Sequence, residues 1–333
     1  MENIMKSLSP TLTLALSLFC LSAHALETDQ YMMWNRELKD SANEVNHYLT
    51  STSRAVVDGL NQQNKKFTCQ DVHREIIRWQ QKDGLILAVE SWVYSSDLLE
   101  KYPVPPEGRD EDRKLIGAVV DQTIYRKGPI FRLKIFGINI NYNGVYLGID
   151  KLAHLLETGY EYYEKYHKAI AKGKSHQEAE IDAIKKGIFQ ERTYYYGYLV
   201  SGIFSHADLE ANYQGLYLNN RFCHGERPWL IQDAQGKWAL QEDIDLKPYV
   251  NPYLDETFNP NSYTRARARA IRPFIREYCP MVNSPTVVAR MNDYHSRAIP
   301  SFSVEYLNQL VKKGKIKNPA EFGIQKWCSK DLD

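Results

Sequence analysis

Several absences bound this chain before any residue is given a role. It has no appreciable charge imbalance: 42 Lys and Arg face 41 Asp and Glu, for a formal net charge of +1 over 333 residues. That balance offers no overall attraction to nucleic acid, and no nucleic-acid partner is expected. It has no C-x-x-C pair, which leaves a zinc ribbon or a thioredoxin-type redox motif unsupported. It has no H-E-x-x-H, G-x-S-x-G, P-loop or dinucleotide fingerprint, so the commonest sequence signatures of hydrolases and nucleotide enzymes are missing. No internal repeat or low-complexity tract appears. Beyond the N-terminus no apolar run approaches the roughly twenty residues that a membrane span needs, so no transmembrane segment is expected in the mature chain.

The one compact apolar run is at the start. Lys6 supplies a positive charge, Leu12 to Leu21 is apolar apart from small hydroxyls, and Ala23-His24-Ala25 is a small-x-small cleavage site. Residues 1–25 therefore read as a secretory signal peptide. An uncleaved anchor is disfavoured by the shortness of the run. Lipidation at Cys20 is disfavoured by the bulky Leu18-Phe19 before it. Residues 26–333 then form a single soluble domain, periplasmic or secreted, with a possible subdivision near 102–112. The remaining cysteines, Cys69, Cys223, Cys279 and Cys328, fit two disulfides in an oxidising compartment, with three pairings open. Four buried thiols are the alternative.

The periodicity predicts a mainly α fold: a helical domain with a small β-hairpin insertion. Helical spacing runs through Met32 to Gln63, then Gln70 to Gln81, and Leu85 to Ser95 reads as helix or strand. Tyr102 to Gly108, with three prolines, is a non-helical connector. Tyr125, Ile130, Leu133, Ile135, Ile138 and Ile140 are strand formers, with Lys127-Gly128-Pro129 as a turn. Asn141-Tyr142-Asn143-Gly144 signals a hairpin returning through Val145-Tyr146-Leu147. Three helices follow: Asp150 to Lys172, Ser175 to about Gly202, and Ser205 to about Asn219. Asn251 to Tyr263 reads as a loop. Helices return at Tyr263–Tyr278, kinked or divided at Pro273, and at Ser303–Lys313. Arg265, Arg269, Arg272 and Arg276 share one helical face, either a solvated surface or a contact for phosphate or another anionic surface. The 23 tyrosines suit wet pockets and headgroup or sugar surfaces without choosing among them.

Candidate chemistry gathers in residues 113–225. Asp150 and His154 are four apart and share a face, with Glu157 and Glu161 extending the stripe. Glu191 lies in the stripe Ile184, Ile188, Glu191, Tyr195, Tyr198, Gly202, where a carboxylate needs a partner; Lys151 or His154 is the expected one. Asp208, Asn212 and Gly215 share a face of the third helix. The plainer alternatives are a capped solvated helix for Asp150 and His154, an edge position for Glu191, and a capping-box role for Asp208 behind Ser205.

Asp150-Lys151-x-x-His154, a glutamate on the next helix, and Ser205-x-x-Asp208-Leu209-x-Ala211-Asn212-x-x-Gly215 resemble the pattern of VanZ-like proteins and of small predicted periplasmic lipoproteins related to them. More closely, Gly144 to Gly215, some seventy of the 333 residues, resembles a group of uncharacterised exported bacterial proteins. VanZ-like proteins are multi-pass membrane proteins, which this chain does not match, and the resemblance implies a shared site without implying a reaction.

Two functions suit these residues. One is an envelope protein that binds a lipid, glycan or protein, with the polar residues packing three helices. The other is a hydrolase of headgroup phosphoesters or cell-wall fragments. Its centre would be Asp150, Lys151, His154, Glu191, Asp208 and Asn212. His154, Glu191 and Asp208 would hold a divalent metal, and Lys151 would stabilise a developing anion.

Overall fold

The computed structural model describes residues 28–83, 86–104, 123–127, 138–193, 197–199 and 201–329. The signal-peptide reading, the end of the proline connector and the strand formers Ile130, Leu133 and Ile135 lie outside them. The described residues form a mainly α fold with small two-stranded sheets. No described helix is long and apolar enough to cross a membrane.

Helices α1 (Ala42–Asn61), α2 (Cys69–Gln80) and α3 (Ala88–Ser95) come first. A reciprocal cap starts α2. The Thr68 hydroxyl accepts the Asp71 N–H, and the Asp71 carboxylate accepts the Thr68 N–H at 3.0 Å. Tyr125, expected in a strand, lies in a turn. The hairpin forms where it was expected: β1 (Asn139–Tyr142) pairs antiparallel with β2 (Val145–Gly148), with Ile140 opposite Leu147. Asn143 and Gly144 both take positive φ (53° and 77°), as a two-residue I′ turn requires.

The first site helix, α4, is composite: Asp150–Ala153 is α-helical, His154–Thr158 is a π-turn, and Gly159–Ile170 is α-helical again. Helix α5 (His176–Arg192) starts at the expected Ser175–Glu178 capping box but stops well short of Gly202. The Tyr198 N–H closes on the Glu191 carbonyl, and Gly202 turns the chain at φ +77° into β3 (Ile203–Phe204). Of the expected stripe, Ile184, Ile188 and Glu191 lie in α5, Tyr198 and Gly202 lie beyond its end, and Tyr195 falls outside the described residues. Helix α6 (His206–Cys223) runs past the expected Asn219 end and is buried on most sides, against α2, α4 and α5.

Two hairpin strands, β4 (Leu230–Gln232) and β5 (Trp238–Leu240), come next, and β6 (Ser262–Tyr263) pairs with β3. Helix α7 (Arg265–Arg276) carries Pro273 inside it and is not divided there. Helix α8 (Pro285–Arg297) has no counterpart in the sequence reading; α9 (Phe302–Lys312) and α10 (Ile324–Cys328) close the order. Of the three possible cysteine pairings, the chain forms Cys69–Cys223 and Cys279–Cys328. The first ties the start of α2 to the end of α6; the second ties the segment after α7 to α10.

Candidate functional site

Strand β2 delivers Asp150 and Lys151 into the interior at the start of α4. The Lys151 ammonium, with no exposed surface, lies 2.7 Å from Asp150 Oδ2, 2.6 Å from Asp208 Oδ1 and 2.7 Å from Glu256 Oε1. An ammonium carries three donors, and three carboxyl groups surround this one. The second Asp208 oxygen lies 3.2 Å from His154 Nε2. Both Asp208 contacts are close ion pairs rather than well-aligned hydrogen bonds.

Asp208 reaches Lys151 because another carboxylate takes its expected place. At the start of α6 the Ser205 hydroxyl accepts the Asp208 N–H at 3.1 Å, which is half of a capping box. The other half, the Ser205 N–H, goes to Glu191 Oε2 at 2.9 Å. The cap reading of Asp208 is therefore right for its backbone and not for its side chain. Glu191 is buried, not at an edge, and its direct partner is a backbone donor rather than Lys151 or His154. Glu191 still feels the charges of Asp208, His154 and Lys151.

His154 Nδ1 donates to Asn212 Oδ1 at 2.8 Å, so Asn212 sets the ring that faces Asp208. The π-turn begins at His154. A π-turn frees carbonyls from regular α-pairing, and Asn219 Nδ2 lies 3.1 Å from both Leu155 O and Leu156 O. His73 in turn donates Nε2–H to Asn219 Oδ1 at 2.8 Å. Burial pushes His73 down to about 3, which keeps it neutral. Beside this turn Gly159 and Gly215 let α4 and α6 touch. A Cβ on Gly215 would lie 2.4 Å from the Leu155 carbonyl oxygen and 2.7 Å from Gly159 Cα. The extra residue of the π-turn also rotates the rest of α4. Glu157 meets Gln81, and Glu161 meets Gln190 and Lys186, so neither extends the Asp150–His154 stripe into the cluster.

Glu256, between the 3₁₀ turn Pro252–Leu254 and β6, was not among the expected residues. Its second oxygen accepts from Asn261 Nδ2 at 2.7 Å, and its N–H donates to Gln30 Oε1 at 3.2 Å. Gln30 contacts Thr28, whose hydroxyl reaches Asp150 Oδ1 at 3.3 Å. A carboxylate in a stretch without periodicity leaves no pattern from which its burial could be read.

Four buried carboxyls thus face two cationic side chains. Burial pushes Glu191 up to about 8, with the Asp208 charge adding to it, and pushes Glu256 up to about 8 despite Lys151. Asp150 is raised by burial, against the pull of Lys151. Burial also acts to raise Asp208, but His154 and Lys151 outweigh it and hold the carboxyl well below its usual range. Burial alone would lower His154; the adjacent Asp208 charge overcomes it and brings the imidazole to about 9. Near neutral pH the His154 charge is held against Asp208 beside Lys151, with protons held by Glu191 and Glu256.

The three elements that supply the expected residues do bring Asp150, Lys151, His154, Glu191, Asp208 and Asn212 into one buried region. The metal-ligand geometry differs from expectation in one member. Ligand atoms of Asp150, His154 and Asp208 lie within 4.8 Å of one another and are able to hold a metal ion; Asp150 stands where Glu191 was expected. Lys151 already touches the two aspartates of this trio, so its ammonium and a metal would compete for the same oxygens. No family model, no curated protein and no solved structure matches this chain.

Proposed function

We propose that this chain is an exported protein of the bacterial cell envelope, periplasmic or secreted, that works by binding a lipid, glycan or protein. The Lys151 cluster is its internal lock. One observation carries this reading: a fully buried ammonium is surrounded by three carboxyl groups, supplied by α4, α6 and the Glu256 loop. The Lys151 charge in such a centre is already paired, and breaking it leaves buried charges unpaired. The signal-like N-terminus and two disulfides support export.

A second reading, a hydrolase with a metal or acid/base centre acting on headgroup phosphoesters or cell-wall fragments, draws on the convergence of Asp150, His154 and Asp208. A π-turn at His154 adds to it, because such turns are frequent at functional sites. Elemental analysis of the purified mature chain separates the two. The binding reading expects no stoichiometric divalent metal, and His154→Ala that lowers Tm alone. Stoichiometric zinc, manganese or calcium that is lost in His154→Ala would replace it with the metal reading.

A further inference from the structure

Cleavage after Ala25 leaves only Leu26 and Glu27 ahead of Thr28. Burial starts at once: no residue of 28–34 is more than 5% exposed. The first part of this segment serves the Lys151 cluster. The Thr28 hydroxyl reaches Asp150 Oδ1 at 3.3 Å, Gln30 Nε2 donates to Thr28 Oγ1 at 2.5 Å, and Gln30 Oε1 accepts the Glu256 N–H at 3.2 Å. Strand β2 leaves room for Thr28 at Gly148, where a Cβ would overlap both the Thr28 side chain and Asp150 Oδ1. The second part enters another core. Tyr31 and Trp34 pack in one hydrophobic cluster with Ile271, Ile275, Val287 and Ile324, from α7, α8 and α10.

These partners lie far along the chain. Ile124, whose N–H donates to Asp29 Oδ2 at 2.8 Å, is 95 residues on; Asp150 is 122 on from Thr28, and Glu256 is 226 on from Gln30. In an exported chain that emerges N-terminus first, residues 28–34 come out early and can be seated only late. Until cleavage they are also tethered. Six residues, Ser22 to Glu27, separate the apolar run that ends at Leu21 from Thr28. Six extended residues span at most about 20 Å, and the headgroup layer takes roughly 5–8 Å of that. Burying Thr28 needs protein on every side of it, so a body formed around the tethered segment would be pressed against the lipid surface.

We propose that removal of the signal peptide completes this fold: residues 28–34 seat against Gly148, Asp150 and the Glu256 loop only after the Ala25–Leu26 bond is cut, and the Lys151 cluster closes in the processed chain and not in the precursor. A membrane peptidase adds one water across that amide, which leaves a carboxylate on Ala25 and an α-ammonium on Leu26. The inference rests on reading the chain as an exported protein.

Two measurements keep the two apart. Mass spectrometry of the wild-type chain isolated from the cell envelope reads its first residue. A Leu26 start is expected; a chain that still begins at Met1 would overturn the export reading and the inference with it. The full-length precursor then tests the inference itself. Ala23→Phe/Ala25→Phe removes the small residues that cleavage needs and keeps the leader attached. This precursor should be digested by proteinase K roughly tenfold faster than the processed chain, because an unseated segment leaves the fold open. Inserting about fifteen Gly and Ser residues between positions 25 and 26 of the same precursor lengthens the tether by about 20 Å. That spacer should restore resistance with the leader still in place, which a general folding defect would not allow. A precursor without the spacer that resists as well as the processed chain, or a spacer that restores nothing, would overturn the inference and leave the Leu26 start, and the export reading, standing.

Discussion

Glu191 accepts the backbone N–H of Ser205 at 2.9 Å, the donor that a capping box would give to Asp208. This exchange lets one cap serve two purposes. Glu191 completes the start of α6, and the Asp208 side chain is released toward Lys151 and His154. Replacing Glu191 by Ala would leave the buried Ser205 N–H without an acceptor and should cost about 1–3 kcal/mol. Glu191→Gln keeps an oxygen acceptor and should cost less than the Ala variant. Ser205→Ala, which loses the bond to the Asp208 N–H, should cost roughly 1 kcal/mol. Urea denaturation of the three variants checks the order; a Gln variant as unstable as the Ala variant would refute the exchange.

Lys151 neutralises a site that holds more carboxyls than cations. In Lys151→Met the carboxyls of Asp150, Asp208 and Glu256 lose their shared partner. The expected loss is roughly 3–5 kcal/mol, the scale of a buried pair broken on one side. The remaining carboxyls would relieve their repulsion by taking up protons, so the deficit relative to wild type should shrink on moving from pH 8 to pH 5. A deficit that is the same at both pH values would show that Lys151 contributes by packing alone.

Much of this centre is legible in the sequence through spacing. Asp150 and His154 are one turn apart, Ser205 announces a helix start three residues before Asp208, and Asn143-Gly144 marks the hairpin that leads into Asp150. These features depend on local backbone chemistry, and local chemistry is written locally. A change of helical period is not carried by spacing. The π-turn at His154–Thr158 moves Glu157 and Glu161 off the stripe that a regular α-helix would give them. The stabilising groups, Asn219 and the Gly159–Gly215 contact, come from or depend on α6, about sixty residues away in the chain. Glu256 is illegible for a related reason: only the tertiary path of an irregular segment brings it to Lys151.

The direction of the pH dependence is set by the same charges. Folded, Glu191 and Glu256 keep their protons up to about 8, whereas an ordinary glutamate releases near 4.5. Between those values the folded chain binds more protons, so stability falls as pH rises. His154 acts in the same sense: it holds its proton to about 9 rather than 6.5, and its contribution is lost through that upper value. Asp208 has the opposite sign, but only below the ordinary carboxylate range, where its depressed carboxyl becomes protonated. Stability should peak on the mildly acidic side and decline toward pH 9, with Tm falling by roughly 5–10 °C over that interval. Glu191→Gln should flatten the slope between its ordinary and raised values. A calorimetric pH series that rises toward alkaline pH would contradict these assignments.

One substitution, Gly to Ala, has opposite expected outcomes at Gly215, in the α4–α6 contact, and at Gly59. At Gly215 a methyl group would meet the Leu155 carbonyl oxygen at 2.4 Å and Gly159 Cα at 2.7 Å, both backbone atoms that cannot move without shifting the π-turn. Gly215→Ala should therefore destabilise by about 1–3 kcal/mol or more, and it should disturb the His154 ring that the same turn carries. Gly59 lies within α1, and a Cβ there meets nothing within 4 Å. Gly59→Ala should stabilise by roughly 0.5–1 kcal/mol through helix propensity and reduced freedom of the unfolded chain. Melting curves give both signs, and the His154 imidazole shift, followed by NMR against pH, reads the local effect. In Gly215→Ala the ring should titrate below its wild-type value, because His154 and Asp208 would separate. A Gly215→Ala chain with wild-type Tm and an unmoved His154 titration would mean that the two helices do not approach through these glycines.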